Sequence, residues 1–319
     1  MPNIQKNILL APYTSFKIGG PAKYFSEAKS LEEIQELCKW AKNEKISILV
    51  LGGGSNVLIS DKGFNGVVIK IKNLKLKISA RGGSACGGKN SIIKADAGVP
   101  LAKLVLETAK SGLSGLEWAI GIPGTIGGAI NGNSGAFGKS MSENLEEVSV
   151  FEIAYSKIKI FKNNDCKFSY RNSIFKHNQN LIILSAILCL EKEKKEKMQK
   201  IIKDYAKQRI ESNPAGRSAG CFFKNMEWKE AGDKAELIKK FPELSKFREK
   251  PKISVGFLIE QVGLKGKKIG GAVVSEKHAA FIINSGKATA DDVINLSNLI
   301  KQKVSERYKI NLEEEAVIV

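Results

Sequence analysis

The sequence predicts an α+β fold in two parts, and three observations support this. The chain has 319 residues, more than one ordinary hydrophobic core holds. Its first part alternates short apolar runs with glycine-rich segments, whereas its last part mixes helical and strand patterns. A strongly charged helical segment lies between them. We place the boundary where that segment begins, which gives domains at 1–190 and 191–319, the first dividing again near residue 72.

The first part is predicted to contain one early helix among strands. Ser30 and Glu33 form a capping-box pattern ahead of apolar residues at helical spacing. Pro100 and Gly112 can begin and end a second helix. Buried strands are predicted at 46–51, 67–71, 148–161 and 181–190, and a glycine-rich hairpin tip at 81–89.

The second part is predicted to be α+β. It begins with the charged helix over 192–211. Ser254 caps a helix that runs through 262 and that Gly263 closes, and Thr289 and Asp292 open a long final helix. Strands are predicted at 269–274 and 280–284.

Composition narrows the function classes. The chain has only two histidines, which excludes a His-rich metal site. Its five cysteines are scattered and form no Cys-x-x-Cys pair, which favours free thiols over disulfides or zinc. The longest apolar run is too short to span a membrane and we recognise no secretory signal. We therefore expect a cytoplasmic protein with no membrane partner.

The net charge of +18 leaves nucleic-acid binding open as an alternative function. However, lysines alternate with acids in runs such as 192–197. This pattern favours a solvated surface, so we expect no nucleic-acid partner. A positive field would also attract an anionic small-molecule substrate.

Two glycine-rich segments are candidates for cofactor binding. Glycine lets the backbone approach a ligand closely, and successive backbone N–H groups form a concavity that binds anions. Taken alone, either segment could be a tight turn or a structural crossover, and the spacing of the first matches neither Gly-x-Gly-x-x-Gly nor a Walker A loop. The candidate residues are Gly52, Gly53, Gly54, Ser55 and Asn56 in the first segment, and Gly121, Pro123, Gly124, Thr125, Gly127 and Gly128 in the second.

Three further segments carry residues suited to catalysis. Arg171 follows Tyr170, and a guanidinium matches a carboxylate in charge and geometry. Cys221 lies in the string SAGCFFKN, and Glu315 lies near the end of the chain in LEEEAV. On residue types alone these segments could be a surface strand, a turn before a strand and a solvated tail.

Together these segments resemble the UDP-N-acetylenolpyruvoylglucosamine reductase family, in its shorter subtype, from about Thr14 to the C-terminus. The string 121–128 is the most specific match. The resemblance implies an FAD-binding domain of the vanillyl-alcohol-oxidase (PCMH) type, followed by a smaller α+β substrate-binding domain whose tail returns to the active site. It implies that the glycine segments, with Asp61 following the first, bind FAD non-covalently, that NADPH is the hydride donor and that a monomer acts on a nucleotide sugar.

The resemblance also implies residue roles. Arg171 and Glu315 would stabilise negative charge that develops on the substrate carboxylate, the Glu by being protonated or by sharing a proton. Cys221 stands where the family has a serine and would donate a proton. Two mild departures are Met226, in place of a common Pro, and Gly132 with Ser134, in places where Met and Ala are common. Substrate contacts are expected from Tyr170, Arg209 and Asn225.

The resemblance leaves another FAD-dependent oxidase or dehydrogenase on the same flavin domain as an alternative. The SAGCFFKN and Leu-Glu-x-Glu segments argue against it.

Overall fold

The computed structural model describes residues 3–79 and 91–319. The predicted hairpin tip at 81–89 therefore lies outside the described residues. The chain forms two compact units, each assembled from more than one segment. The first comprises Met1–Ile8, Ala22–Gly54 and Asn65–Glu211, and the second comprises Leu9–Pro21, Ser55–Phe64 and Ser212–Val319. The charged helix belongs with the first unit. That the two parts bind FAD and substrate, respectively, stays a prediction.

The elements are as follows, in chain order. The helices are α1 Leu31–Asn43, α2 Leu101–Lys110, α3 Ile126–Asn131, α4 Ile174–His177, α5 Lys195–Ser212, α6 Trp228–Ala231, α7 Lys234–Lys240, α8 Val255–Gln261 and α9 Ala290–Tyr308. The strands of the first half are β1 Gln5–Leu9, β2 Pro21–Ala28, β3 Ile48–Leu51, β4 Val57–Leu58, β5 Phe64–Ile71, β6 Leu76–Ser79, β7 Ser91–Asp96, β8 Leu113–Ser114, β9 Gly135–Ala136 and β10 Lys139–Ser140. The remaining strands are β11 Leu145–Glu152, β12 Lys157–Lys162, β13 Leu181–Lys192, β14 Met226–Glu227, β15 Lys252–Ile253, β16 Lys268–Ile269, β17 Ala272–Val274, β18 Ile282–Asn284 and β19 Val317–Ile318.

The first unit is built on two sheets. One has the strand order β1-β2-β5-β3, with β3 and β5 parallel. The other has the order β12-β11-β13-β7-β6 with antiparallel neighbours, and β8 also pairs with β13. Apolar residues of both sheets share one core with α1 and α2. The predicted single strand at 148–161 is wrong, because the chain turns at 153–156 and forms the β11–β12 hairpin.

Side-chain caps fix the helix starts. The Ser30 hydroxyl accepts from the Glu33 N–H, as predicted, but the Glu33 carboxylate accepts from Lys29 N–H, so the reciprocal half of the capping box is absent. Pro100 is the N-cap of α2, with ψ 133°, instead of its first helical residue. Ser254 caps α8, and Thr289 and Asp292 form a complete capping box on α9, as predicted.

The second unit has a separate core, made by α8, α9 and the antiparallel sheet β16-β17-β18. The predicted strand at 269–274 is instead a hairpin of β16 and β17. Gly270, with φ +51°, provides the turn between them.

The cysteines differ from the expectation of five thiols. Cys38 and Cys166 are buried free thiols, and burial raises the pKa of each to about 12. Cys189 is disulfide-bonded, so the expectation is wrong for this residue. Within residues 3–79 and 91–319, no helix combines the length and the apolar character that crossing a membrane requires.

Candidate active site

The two glycine-rich loops of the first unit contact each other directly. A Cβ placed on Gly53 would lie 2.5 Å from the Gly124 Cα atom, and one on Gly52 would lie 2.6 Å from the Thr125 hydroxyl oxygen. Only glycine permits this approach. Gly53 and Gly128 are exposed, so both loops present backbone to a ligand. This arrangement fits a phosphate-bearing cofactor such as FAD, which backbone N–H groups can hold without interference from side chains.

The side chain of Lys70 hydrogen-bonds to the backbone of the first loop. It lies on β5 opposite Leu51 of β3, and its ammonium group donates to the Gly52 carbonyl at 2.5 Å. Burial lowers the pKa of Lys70, and the nearby Lys72 acts in the same direction. The sequence patterns did not single out this lysine, because a strand position gives no sign of the loop that its side chain reaches.

The second loop is held in position by Thr125 and by its neighbours. Thr125 caps α3 by accepting from Gly128 N–H. Gly127 donates to the Ala97 carbonyl, and a Cβ there would lie 2.8 Å from the Ala97 Cβ. Pro123 lies in the same loop and is exposed.

Arg171 occupies the tip of a tight turn. Ser169 and Asn172 exchange backbone hydrogen bonds of 3.2 Å around it, so the alternative of a surface strand is wrong here. The φ of Arg171 is +54°, a left-handed conformation that usually selects Gly or Asn and costs other residues about 1–2 kcal/mol. Strain at a charged, half-buried residue is typical of functional positions.

The Arg171 guanidinium is oriented by its surroundings. Its Nη2 donates to the Gly135 carbonyl at 2.7 Å, and the group lies 5.2 Å from the centroid of the Tyr170 ring. Both predicted substrate contacts of this segment are therefore adjacent in space as well as in sequence. A guanidinium held in this way is preorganised to bind a carboxylate.

Arg209 packs on the second glycine loop. Its Nη2 donates to the Trp118 carbonyl at 3.1 Å, and a Cβ on Gly121 would lie 2.8 Å from the Arg209 Cδ atom. The guanidinium also lies 5.3 Å from the centroid of the Phe137 ring, which stacks on Tyr205. Arg209 is thus positioned by the loop that is predicted to bind the cofactor.

In the second unit, the segment around Cys221 lies between two other chain segments. Cys221 pairs with Phe281 on one side, and Phe223 pairs with Glu314 on the other. Phe222 and Phe223 are buried and meet edge to face, which fixes the half-buried Cys221 beside them. The turn before Cys221 uses Gly220 at φ +81°. The segment does contain the turn before Phe222 and Phe223 that residue types alone allowed, and backbone pairing holds it on both sides.

The three consecutive C-terminal acids have different surroundings. Glu313 forms an ion pair with Lys224, and Glu314 forms one with Lys301. Glu315 is half-buried and donates its backbone N–H to the Phe222 carbonyl at 2.8 Å. The first two acids thus have structural partners, so these three residues are not a loose solvated tail.

Asn56 and Asn225 serve the backbone of the second unit. The Asn56 amide donates to the Glu315 carbonyl at 3.1 Å. The Asn225 side-chain oxygen accepts from the Val255 N–H at the start of α8. Asp61, which follows the first glycine loop, accepts from the first N–H groups of α9 and is therefore a helix cap. Ser55 is half-buried.

The structure thus gathers the predicted residues into two groups. The glycines of both loops, Tyr170, Arg171 and Arg209 lie in the first unit, and Ser55, Asn56, Cys221, Asn225 and Glu315 lie in the second. Lys70 and the backbone role of Asn56 were missed from the sequence. No pattern signals a contact between residues 259 positions apart, such as Asn56 and Glu315.

Comparisons with known proteins agree with this organisation. A family profile described as "FAD binding domain" matches residues 22–156. A second, described as "UDP-N-acetylenolpyruvoylglucosamine reductase, C-terminal domain", matches residues 208–319.

Similar proteins extend the match to the whole chain. The UDP-N-acetylenolpyruvoylglucosamine reductase of Syntrophomonas wolfei is 40% identical over 316 residues, covering 99% of this chain and 95% of that protein. The protein of the same name from Synechococcus sp. (strain JA-3-3Ab) is 38% identical over 317 residues, covering 99% and 91%.

Solved structures give the same result. UDP-N-acetylenolpyruvylglucosamine reductase (MurB) from Thermus caldophilus superposes with a TM-score of 0.75 at 30% identity, covering 100% of this chain and 99% of that one. A vanillyl-alcohol-oxidase-type flavoprotein from Myceliophthora thermophila superposes with a TM-score of 0.55 at 11% identity, covering 90% and 70%, and shares the fold.

Proposed function

The chain belongs to the UDP-N-acetylenolpyruvoylglucosamine reductase family, and from this premise we propose how its residues carry out the family's reaction. It is an FAD-dependent, NADPH-using oxidoreductase of peptidoglycan precursor synthesis. It reduces the enolpyruvyl group of UDP-N-acetylglucosamine enolpyruvate to the lactyl ether of UDP-N-acetylmuramate.

One observation carries the assignment of residues. The Glu315 N–H donates to the carbonyl of Phe222, the residue that follows Cys221. Two candidate catalytic residues, distant in sequence, therefore lie on paired backbone segments. Chance similarity of isolated motifs would not produce this pairing.

We assign FAD binding to the glycine loops of the first unit. When bound, FAD supplies the chemistry that carries a hydride from NADPH to the terminal alkene carbon of the substrate. Gly52, Gly53 and Gly54 with Gly124, Thr125 and Gly128 would hold its pyrophosphate by backbone N–H groups. Gly121, Pro123 and Gly127 complete the second loop, and Ser55 directly follows the glycines of the first. No side chain in either loop can form a flavin linkage, since neither contains His or Cys.

We assign stabilisation of the substrate to Arg171. Its guanidinium would bind the substrate carboxylate and stabilise the negative charge that hydride addition creates there. Preorganised donors of this kind can each contribute about 10²–10³ in rate. Tyr170, Arg209 and Asn225 would contact the substrate. Glu315 would stabilise the same charge as Arg171, in its protonated form or through a shared proton.

We assign the proton donor to Cys221. Its S–H bond would break as a new C–H bond forms on the carbon next to the carboxylate, and solvent would then return a proton to the sulfur. A thiol with a reference pKa of about 8.5 is mostly protonated at neutral pH. It is also a stronger acid than the serine hydroxyl that the family uses, so the replacement is compatible with activity.

The test is the absorbance spectrum of the purified protein. If the proposed function is correct, the purified protein is yellow and NADPH bleaches it. Adding the enolpyruvyl nucleotide in the absence of oxygen then restores the yellow colour. Acid precipitation should release all colour to the supernatant, and colour in the pellet would contradict non-covalent binding. Bleaching without recovery on adding the nucleotide would favour another flavin dehydrogenase.

Two finer points are also proposals. We propose that the enzyme acts as a monomer, which sedimentation can test. We also propose that it acts in the cytoplasm, where reduced pyridine nucleotide is available. A periplasmic location on cell fractionation would contradict this.

A further inference from the structure

The C-terminal residues that follow Glu315 form a strand on the segment that follows the first glycine loop. Val317 and Ile318 (β19) pair in parallel with Val57 and Leu58 (β4). Val319 continues the pairing, because its N–H donates to the Leu58 carbonyl and its carbonyl accepts from Ser60 N–H. The end of the chain is therefore fixed by regular hydrogen bonds.

Asn56 stands at the head of this pairing and bonds to the C-terminal segment twice. Its backbone carbonyl accepts from Val317 N–H at 2.9 Å, and its side-chain amide donates to the Glu315 carbonyl at 3.1 Å. On the other side, the Glu315 N–H donates to the Phe222 carbonyl. Both polar backbone groups of Glu315 are thus engaged, one by Asn56 and one by the neighbour of Cys221.

We propose that Asn56, which the sequence placed among the cofactor-binding candidates, instead acts as a positioning residue for the reduction of the nucleotide. By holding the Glu315 carbonyl it fixes the rotation of that peptide, and with it the direction in which the Glu315 side chain leaves the backbone. This inference rests on the catalytic role proposed for Glu315. A misplacement of a catalytic group by about 1 Å can cost up to about 10² in rate.

The alternative is that Asn56 serves only the cofactor, as its place in the glycine-rich segment suggests. The two hypotheses predict different losses. A cofactor role would weaken FAD binding and slow both half-reactions. A positioning role would leave FAD content and bleaching by NADPH unchanged and would slow only the return of colour on adding the nucleotide.

The primary variant is Asn56→Leu, which keeps the volume of the side chain and removes the donor. A control is Asn73→Leu, since the Asn73 amide also donates to a distant carbonyl, that of Leu184, at 2.9 Å. A chain that ends at Ile318 is a second test, because it removes both hydrogen bonds of Val319 and leaves Asn56 in place. Hydrogen exchange of the C-terminal peptide, measured on FAD-free protein, reports independently of activity whether the C-terminal strand is still held by its backbone hydrogen bonds.

We expect Asn56→Leu to keep its FAD, to bleach at the wild-type rate within about twofold and to recover colour about 10–10² more slowly. The shortened chain should show the same selectivity, and both should exchange C-terminal amides faster than the control. Loss of FAD, equal slowing of both half-reactions or an unchanged recovery rate would overturn the inference. Glu315→Gln tests the premise, because a wild-type recovery rate in that variant would refute the proposed role of Glu315 itself.

Discussion

Replacing Gly53 with alanine tests whether the contact between the two glycine loops forms the FAD site. The added Cβ would lie 2.5, 3.1 and 3.4 Å from the Cα, carbonyl carbon and nitrogen of Gly124. Ordinary separations between carbon atoms in contact are about 3.5–4.0 Å, so the loops must separate by about 1 Å. The obstacle is backbone, which cannot rotate away as a side chain could. Overpacking of this kind costs about 1–3 kcal/mol.

This energetic cost falls on the loop arrangement that we propose as the FAD site. If the two loops hold FAD together, we expect its dissociation constant to rise by about 5–150-fold, the factor that this energy corresponds to. Equilibrium dialysis of FAD-free protein against FAD measures it directly. The matched control is Gly132→Ala, where the Cβ would meet nothing nearer than the Gly128 carbonyl oxygen at 3.7 Å and φ is −92°. An unchanged dissociation constant in Gly53→Ala would refute the role of the loop contact in FAD binding.

Variants at three other positions test the catalytic residues and the fold. Arg171→Ala should slow the recovery of colour on adding the nucleotide by about 10–10² or more, because each lost charge-assisted hydrogen bond contributes about 1.5–3 kcal/mol. Bleaching by NADPH, which lacks the carboxylate, should change little. Equal slowing of both steps would contradict the assignment. Cys221→Ala should slow the same recovery of colour by about 10²–10⁴, the range for a positioned general acid. Cys221→Ser should stay active and resist inactivation by iodoacetamide. Turnover at the wild-type rate by the alanine variant would exclude Cys221 as the proton donor. Burial lowers the pKa of His278 below its ordinary value, so below about pH 6.5 the unfolded chain binds a proton that the folded chain does not. The free energy of unfolding should therefore decrease as the pH is lowered below about 6.5, and His278→Asn should make this decrease smaller. Denaturant titrations that show the same dependence of the unfolding free energy on pH for both proteins would contradict this.

Helix starts could be predicted from the sequence because their causes are local. Ser30, Ser254 and Thr289 each accept a hydrogen bond from an N–H three residues ahead, so the cap and its target lie in one short string. The reciprocal bond of Glu33 went to Lys29 instead of Ser30. A local sequence pattern therefore predicts that a cap is present, but it does not predict every hydrogen bond of that cap.

The strand errors have two different causes. The turn between β11 and β12 is formed by Ile153, Ala154, Tyr155 and Ser156, and Ser156 is the one common turn residue among them; Gly, Pro, Asn and Asp, the stronger turn signals, are absent from these four positions. Ser156 takes φ +52° there because the pairing of the two strands imposes it. The β16–β17 turn did carry a signal, Gly270-Gly271, but the apolar residues on both sides suggested one continuous strand. The disulfide of Cys189 had no such signal, since spacing alone does not reveal pairing.

The site shows the same division between local and distant causes. Glycine strings identified the two loops, but their mutual contact joins segments far apart in the chain, and no local pattern encodes it. Arg171 was selected for its charge, whereas its left-handed backbone became evident only from the turn that holds it. Among the three C-terminal acids, the Leu-Glu-x-Glu pattern selects Glu315 through the resemblance to the family. The residues that bond to its backbone, Phe222 and Asn56, are distant in sequence, and no local pattern predicts these contacts. If Glu315 is catalytic, the direction of its side chain depends on them, and this is why a change at Asn56, which leaves every titratable group in place, is expected to alter the reaction.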